Sequence, residues 1–244
     1  MSFHDWLTTT EIHEAFASEV RVAGGSVLEA FDDGQRLFAR SVLPRLEEVQ
    51  PRDKLQGGVA LRALETEVWV HPYVYRLVCR NGAIAAHALE SRSIKAEEFP
   101  SSEEALVSIR ETVRACCADE VFTARIGEMR AARTLDGMDA MLNMMPMLAQ
   151  LAPRVRTQVM QSVLGQFASA GDSSRFGLMN AVTATARDTR DPELRWHLEE
   201  LGGGIPALRK PASPRGGVLA ERPDELALAC AGSAAGAGRR MIAL

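Results

Sequence analysis

The chain has 244 residues, of which 46% are hydrophobic, so it is long and apolar enough for one sizeable globular domain or two small ones, and too apolar to be a disordered chain. Its 28 basic and 32 acidic residues give a net charge of −4, so the molecule has no overall positive field that would attract nucleic acid or a membrane surface. Any such binding must depend on a local cluster of residues.

The start of the chain and its cysteines predict a cytoplasmic protein with free thiols. Residues 1–16 contain acidic side chains, unlike the basic and then apolar segments of a signal peptide. No stretch stays apolar over the roughly 20 residues that a membrane-spanning helix needs, so we expect no membrane partner. The sequence has no C-x-x-C motif and its five histidines are scattered, so we expect neither a metal site nor a bound cofactor.

Residues 1–100 are predicted to form mainly β structure. Apolar residues alternate there with polar or small ones, which is the period of half-buried strands. This pattern predicts strands at residues 19–22, 36–42, 59–64 and 67–71. The last two are close enough in sequence to form a hairpin. We therefore expect an antiparallel sheet.

The segment after this hairpin is predicted to be a short helix. Pro72 lacks an N–H group and suits the first turn of a helix. Asn81 and Gly82 tolerate the left-handed backbone that commonly ends one. The prediction is a helix over residues 72–80, followed by another strand between residues 83 and 94.

Residues 101–202 are predicted to be helical and to pack on the sheet as one composite domain. Ser101 and Glu104 suit a capping box at the start of one long amphipathic helix that reaches about residue 133 and lies across the sheet. A Met-rich segment then meets Pro146, where we expect a kink or a helix end. Its methionines are Met138, Met141, Met144, Met145 and Met147.

Three more helices are predicted before the end of the chain, around residues 155–167, 176–182 and 191–202. The last has Asp191 as its N-cap and Gly202 as its stop. Residues 203–244 are rich in Gly, Pro and Ala and bury little apolar area, which predicts a loosely held tail. The predicted fold class is α+β, with an N-terminal antiparallel sheet and a C-terminal helical layer.

Two stretches of the chain resemble landmarks of a known family. The first is Arg76-Leu77-Val78-Cys79-Arg80-Asn81-Gly82, preceded by Gly57-Gly58-Val59, and the second is Gly177-Leu178-Met179-Asn180-Ala181-Val182-Thr183. In this order they are similar to the phage/plasmid-like protein family, which is defined by a domain of unknown function. The resemblance spans residues 36–202. It implies a prophage, plasmid or other mobile-element setting and supplies no activity to carry over.

Basic and aromatic residues cluster between residues 62 and 80. Arginine side chains bind phosphates through two parallel hydrogen bonds and aromatic rings stack on unpaired bases. The cluster therefore favours a non-enzymatic protein that binds single-stranded nucleic acid through one exposed surface. The predicted site consists of Arg62, Arg76 and Arg80 as phosphate contacts and of Tyr73 and Tyr75 as stacking rings. The alternative is that the aromatic residues are core and that each arginine pairs with a carboxylate.

Two other functions stay open. The Met-rich helices suit a protein-interaction module or a homo-oligomeric assembly, because methionine side chains adapt to different partners. An enzyme of unrecognised type would need Cys79 as nucleophile with His71 or His87 as its base. The sequence offers no residue to orient that base, so no catalytic residue is predicted.

Overall fold

The computed structural model describes residues 3 and 6–208. Within them, seven strands form one sheet and seven α-helices pack around it. The strands are β1 (Ser26–Asp32), β2 (Leu37–Val42), β3 (Leu46–Gln50), β4 (Asp53–Ala63), β5 (Glu67–Arg76), β6 (Asn81–Ile84) and β7 (Arg92–Lys95). The helices are α1 (Thr9–Val22), α2 (Ser102–Cys116), α3 (Asp119–Ala132), α4 (Gly137–Met144), α5 (Pro153–Ala170), α6 (Arg175–Arg187) and α7 (Pro192–Gly204). The predicted α+β class is confirmed.

The two longest strands, β4 and β5, form the centre of the sheet. They pair from Leu55 opposite Arg76 to Ala63 opposite Val68. The two halves of β4 are flanked by β2 and β3, and the two halves of β5 by β6 and β7. β1 extends the sheet beyond β2, and every pairing is antiparallel.

The two faces of the sheet are covered by different helices. Successive side chains of a strand point to opposite faces, so Leu61 and Val70 lie on one face, in a core cluster shared with α1 and α2. On the other face, Phe38 and Tyr73 pack around Trp196 of α7. Helices α3 to α7 form a further cluster that includes residues from one end of the sheet. α7 is therefore the element that covers the second face.

The predicted strand at residues 19–22 is wrong, because these residues end α1. Ile12, Phe16 and Val20 are fully buried at helical spacing, and their packing decides the structure. Thr8 and Glu11 form a capping box at the start of the helix. The alternation at residues 19–22 covers four positions only, whereas the helical spacing of buried residues extends over the whole of α1.

The predicted helix at residues 72–80 is also wrong. β5 continues through Pro72 to Arg76, and the chain reverses over the next four residues before β6 begins at Asn81. The pairing of β5 with β7 ends at Val70, and the pairing of β5 with β6 begins at Tyr73. Pro72 lies between these two pairings and is therefore tolerated inside the strand. Of the predicted strand at residues 83–94, only its two ends belong to strands.

The helical region contains two smaller corrections. The single long helix predicted after Ser101 is divided into α2 and α3, which are separated near Cys117. α7 does not stop at Gly202 but runs to Gly204. A Cβ atom on Gly203 would lie 2.0 Å from the carbonyl oxygen of Ile84. Gly203 thus permits close packing of α7 on β6. Residues 203–208 belong to the fold, and the remainder of the predicted tail, 209–244, lies outside the described residues.

Two adjacent thiols end α2 inside the core. Cys116 and Cys117 are free and buried, as the sequence predicted. Burial raises the pKa of Cys117 to about 11, and it raises the pKa of Cys116 further. The folded protein therefore keeps protons on these thiols at a pH at which an unfolded chain would release them.

We expect the free energy of unfolding to decrease as the pH rises from about 9 to about 11, since the unfolded chain then loses thiol protons that the folded protein retains. Each thiol contributes at most about 1.4 kcal/mol per pH unit over this interval. Urea unfolding at several alkaline pH values would measure the slope. A Cys116→Ala/Cys117→Ala variant should show a shallower slope, and equal slopes would contradict the assignment.

Candidate functional site

The five residues predicted to bind nucleic acid do not form one exposed surface. Arg62 lies opposite Trp69 at one end of the β4–β5 pairing, and Arg76 lies opposite Leu55 at the other end. The two pairs are about 23 Å apart along the strands, at about 3.3 Å per residue. Because side chains alternate, Arg62 lies on the face covered by α7 and Arg76 on the opposite face. A single phosphate-binding patch that includes both is excluded by this register.

The predicted stacking rings are packed inside the protein to different degrees. Tyr73 is 1% exposed, and its ring stacks on that of Tyr75 at a centroid distance of 6.4 Å. Its hydroxyl group lies against Gly82, where a Cβ atom would come within 1.9 Å. Burial, and then the charge of Glu199, raises the pKa of Tyr73. Tyr73 is a core residue, whereas Tyr75 remains half-buried.

Arg76 is held by a carboxylate of its own. Its Nε donates a hydrogen bond to Asp53 Oδ1 at 2.7 Å and its Nη2 donates one to Asp53 Oδ2 at 2.8 Å. Asp53 is almost fully buried. The remaining Nη1 lies 3.2 Å from Cys79 Sγ. The alternative of carboxylate pairing therefore applies to Arg76, and its partner comes from the strand beside it.

Arg80 lies exposed in the turn between β5 and β6. Its backbone φ of +52° places it in the left-handed region, which is uncommon for a residue with a side chain. Leu77 and Val78 in the same turn are also exposed. Among the five predicted residues, Arg80 is thus the one whose side chain extends freely towards solvent.

Arg62 lies at a cleft rather than on an open surface. Its guanidinium carbon is 4.0 Å from the ring centroid of Trp69 and 5.6 Å from that of Trp196, which is cation–π geometry. Its Nε atom is buried and has no hydrogen-bond partner among the described residues. Burial lowers the pKa of Arg62, and the carboxylates of Glu200, Glu193 and Glu67 oppose this shift. The two rings hold this side chain in place.

The cleft beside Arg62 has a volume of about 530 Å³. Its apolar walls include Leu151, which precedes α5, Val155 in the first turn of α5, and Leu194 of α7. Glu193 adds a carboxylate at the first turn of α7. Gln150 and His197 also line the cleft, and their side-chain nitrogens are 3.0 Å apart. With Asp191 beside Glu193, the cleft combines apolar walls with a guanidinium and two carboxylates.

A buried ionic network attaches α7 to the sheet beneath this cleft. Arg40 Nε donates a hydrogen bond to Glu199 Oε2 at 2.6 Å, and both side chains are at most 4% exposed. Arg195 donates to Glu199 Oε1 at 3.1 Å and also pairs with Glu29 of β1. Burial raises the pKa of Glu199, and the two arginines oppose this shift. Two positive and two negative groups thus balance each other at the junction.

A second contact fixes the next turn of α7. Trp196 Nε1 donates a hydrogen bond to Glu200 Oε1 at 2.7 Å, and His71 Nε2 lies 3.4 Å from the same oxygen. Burial alone would raise the pKa of Glu200, but the interactions with His71 and Arg62 lower it. The contacts of Glu200 with His71 and Arg62 were not visible in the sequence, because these partners are more than a hundred residues from Glu200.

The residues required by the enzyme hypothesis are not assembled. His71 is buried beneath α7 on one face of the sheet. Cys79 lies in the turn after β5, beside Arg76, and His87 pairs with Glu128 of α3 at 3.1 Å. The described residues contain no group of three or more His, Cys, Asp or Glu side chains arranged to hold a metal ion.

The two sequence landmarks meet in space. Asn81 at the start of β6 donates a hydrogen bond to Thr183 Oγ1 at 2.5 Å and lies 3.4 Å from the carbonyl oxygen of Asn180. All three residues are buried. Their side chains connect β6 to α6 in the core, which gives both landmarks a structural role.

Five exposed apolar side chains lie on α4, α5 and the 3-10 turn between them, which we call the α4–α5 face. Its exposed members are Met138, Leu142, Met145, Met147 and Leu164. Met141 and Met144 are instead buried in the core. The start of α4 lies against α5, since a Cβ atom on Gly137 would be 2.8 Å from the ring of Phe167. The Met-rich segment thus serves both the core and the surface.

Comparison with known proteins assigns no identity to this chain. No family model, curated protein or solved structure matches it. No helix among the described residues has the length and apolar character needed to cross a membrane. The site must therefore be interpreted from its own geometry.

We expect Arg76→Ala to reduce the free energy of unfolding by about 3 kcal/mol, because the buried Asp53 would lose its counterion. Arg80→Ala should change it by less than about 0.5 kcal/mol, since Arg80 is exposed. Urea unfolding followed by tryptophan fluorescence would compare the two variants. Equal losses of unfolding free energy in the two variants would contradict the conclusion that Arg76 supports the fold and that Arg80 does not.

Proposed function

We propose that the protein is a non-enzymatic assembly module that associates with a second copy of itself through the α4–α5 face. The observation that carries the proposal is a low charge density on an exposed surface. Residues 137–170 contain three charged residues, Asp139, Arg154 and Arg156, although a quarter of the whole chain is charged. Surfaces that remain in water rarely combine so few charges with exposed apolar side chains.

The burial of α5 supports the proposal. This helix has 18 residues, of which only Val159 and Val163 are buried. At about 1.5 Å per residue it is about 27 Å long, and most of that length is free to contact a partner. Leu164 is exposed beside Gly165 and Ala168, small residues that permit close approach of another helix.

The small number of charges in this segment favours a second copy as the partner. In a two-fold dimer the same patch meets itself, so each charge would lie near its own symmetry mate. A face with few charges avoids this repulsion. A strongly charged partner would find few complementary groups on it.

The proposal is tested by replacing Leu142, which is 70% exposed at the centre of α4, with glutamate. The Leu142→Glu variant should raise the dimer dissociation constant at least about tenfold, because it introduces two carboxylates into an apolar interface. Light scattering over a wide range of protein concentration would measure the mass of each form. The unchanged chain should approach twice the monomer mass as its concentration rises.

Leu89→Glu is the matched control. Leu89 is 96% exposed in the connection between β6 and β7, so this variant makes the same chemical change at a site away from α4 and α5. It should associate like the unchanged chain. A constant monomer mass for the unchanged chain, or equal association of all three proteins, would overturn the proposal.

Single-stranded nucleic acid binding stays a prediction, as do the mobile-element setting and the cytoplasmic location. Because Arg76 and Tyr73 support the fold, only Arg62, Arg80 and Tyr75 of the predicted site can contact a strand without structural rearrangement. A phosphate contact by Arg80 would make binding sensitive to salt.

A further inference from the structure

We infer that the cleft beside Arg62 binds one guanine base, with the guanidinium of Arg62 contacting the acceptor edge of the base and the carboxylate of Glu193 contacting its donor edge. The inference concerns a site separate from the self-association proposed above. It rests on the shape of the cleft, the guanidinium of Arg62 that lines it and the charges around it.

The size and walls of the cleft suit a planar group. Its volume of about 530 Å³ falls within the usual range of small-molecule sites, about 300 to 1,000 Å³. Leu151, Val155 and Leu194 supply apolar surface for the faces of a ring. Such sites commonly use a few polar groups to fix the orientation of a largely apolar ligand.

The charges around the cleft favour a neutral ligand over an anion. Two carboxylates, those of Asp191 and Glu193, line the cleft, and those of Glu200 and Glu67 also act on the charge of Arg62. A phosphate or carboxylate ligand would be attracted by Arg62 and repelled by these carboxylates. A neutral ligand with hydrogen-bond acceptors avoids this repulsion and still satisfies the guanidinium.

Arg62 and Glu193 together specify which neutral base fits. Guanine carries two acceptors, O6 and N7, which an arginine contacts through two hydrogen bonds. It also carries N1–H and N2–H₂ donors, which a carboxylate can accept together. Adenine has an amino group where guanine has O6, and it lacks the pair of adjacent donors. A buried donor or acceptor that is left unpaired costs about 1 to 3 kcal/mol, so the cleft should discriminate against adenine.

Titration calorimetry of the full chain with guanosine, inosine, adenosine and guanosine monophosphate tests the inference. Guanosine should bind at least about tenfold more tightly than adenosine. Inosine, which lacks the N2 amino group, should also bind more weakly. The monophosphate should bind no more tightly than guanosine, because its phosphate gains nothing beside the carboxylates around the cleft.

Glu193→Gln supplies the decisive variant. Glu193 is more than half exposed at the first turn of α7, so the fold should tolerate the change, while guanosine affinity should fall about tenfold. Glu103→Gln is the matched control, since Glu103 is an exposed carboxylate in the first turn of α2. This control should bind guanosine like the unchanged chain.

A competition experiment identifies the source of the base. The competitor is an oligothymidine with one central guanine. If it displaces guanosine, the ligand is an unpaired guanine in a strand. If it does not displace guanosine, the ligand is the free nucleoside. Both results agree with a guanine site. Absence of guanosine binding, equal affinity for adenosine, or unchanged affinity of Glu193→Gln would overturn it.

Discussion

The hydrogen-bonded ion pair between Arg40 and Glu199 is the interaction on which the second face of the sheet depends. It joins β2 to α7 across 159 positions of sequence, and both charges are sealed from water. Placing two ions in a protein interior costs several kcal/mol for each, and the cost is offset only when geometry and additional hydrogen bonds are favourable. Arg195 and Glu29 supply those additional partners. The network therefore admits one position for α7 and penalises any displacement that separates the charges.

The position of α7 determines both candidate surfaces. It places Trp196 near Arg62, and its first turn brings Glu193 and Leu194 to the cleft. α6 packs between α7 and α5, so that the helical layer is attached to the sheet at one side and presents α5 to solvent on the other. The cleft and the α4–α5 face thus follow from one helix being fixed in place. They differ in chemistry, since the cleft combines opposite charges and the face has few charges of either sign.

Local patterns in the sequence were sufficient for some parts of this structure. The alternation at residues 59–64 and 67–71 locates the central hairpin, and Asp191 caps α7 as its position before Pro192 predicts. Pairings between distant residues were not visible. The burial of Tyr73 depends on Gly82 in a neighbouring strand, and the neutralisation of Arg76 depends on Asp53, 23 positions earlier. The local sequence around an arginine next to a tyrosine does not show whether its side chain faces solvent or pairs with a carboxylate. Only the register of strand pairing decides between these two environments.

The most direct test of this account is a double-mutant cycle on Arg40 and Glu199, using Arg40→Met, Glu199→Gln and the combined variant. We predict that each single change reduces the free energy of unfolding by about 3 kcal/mol or more, because it removes one buried charge and leaves the buried charge network unbalanced. The double variant should lose at least about 2 kcal/mol less than the sum of the two. Additive losses would show that the two side chains do not stabilise each other, and would contradict the claim that their pairing holds α7 on the sheet.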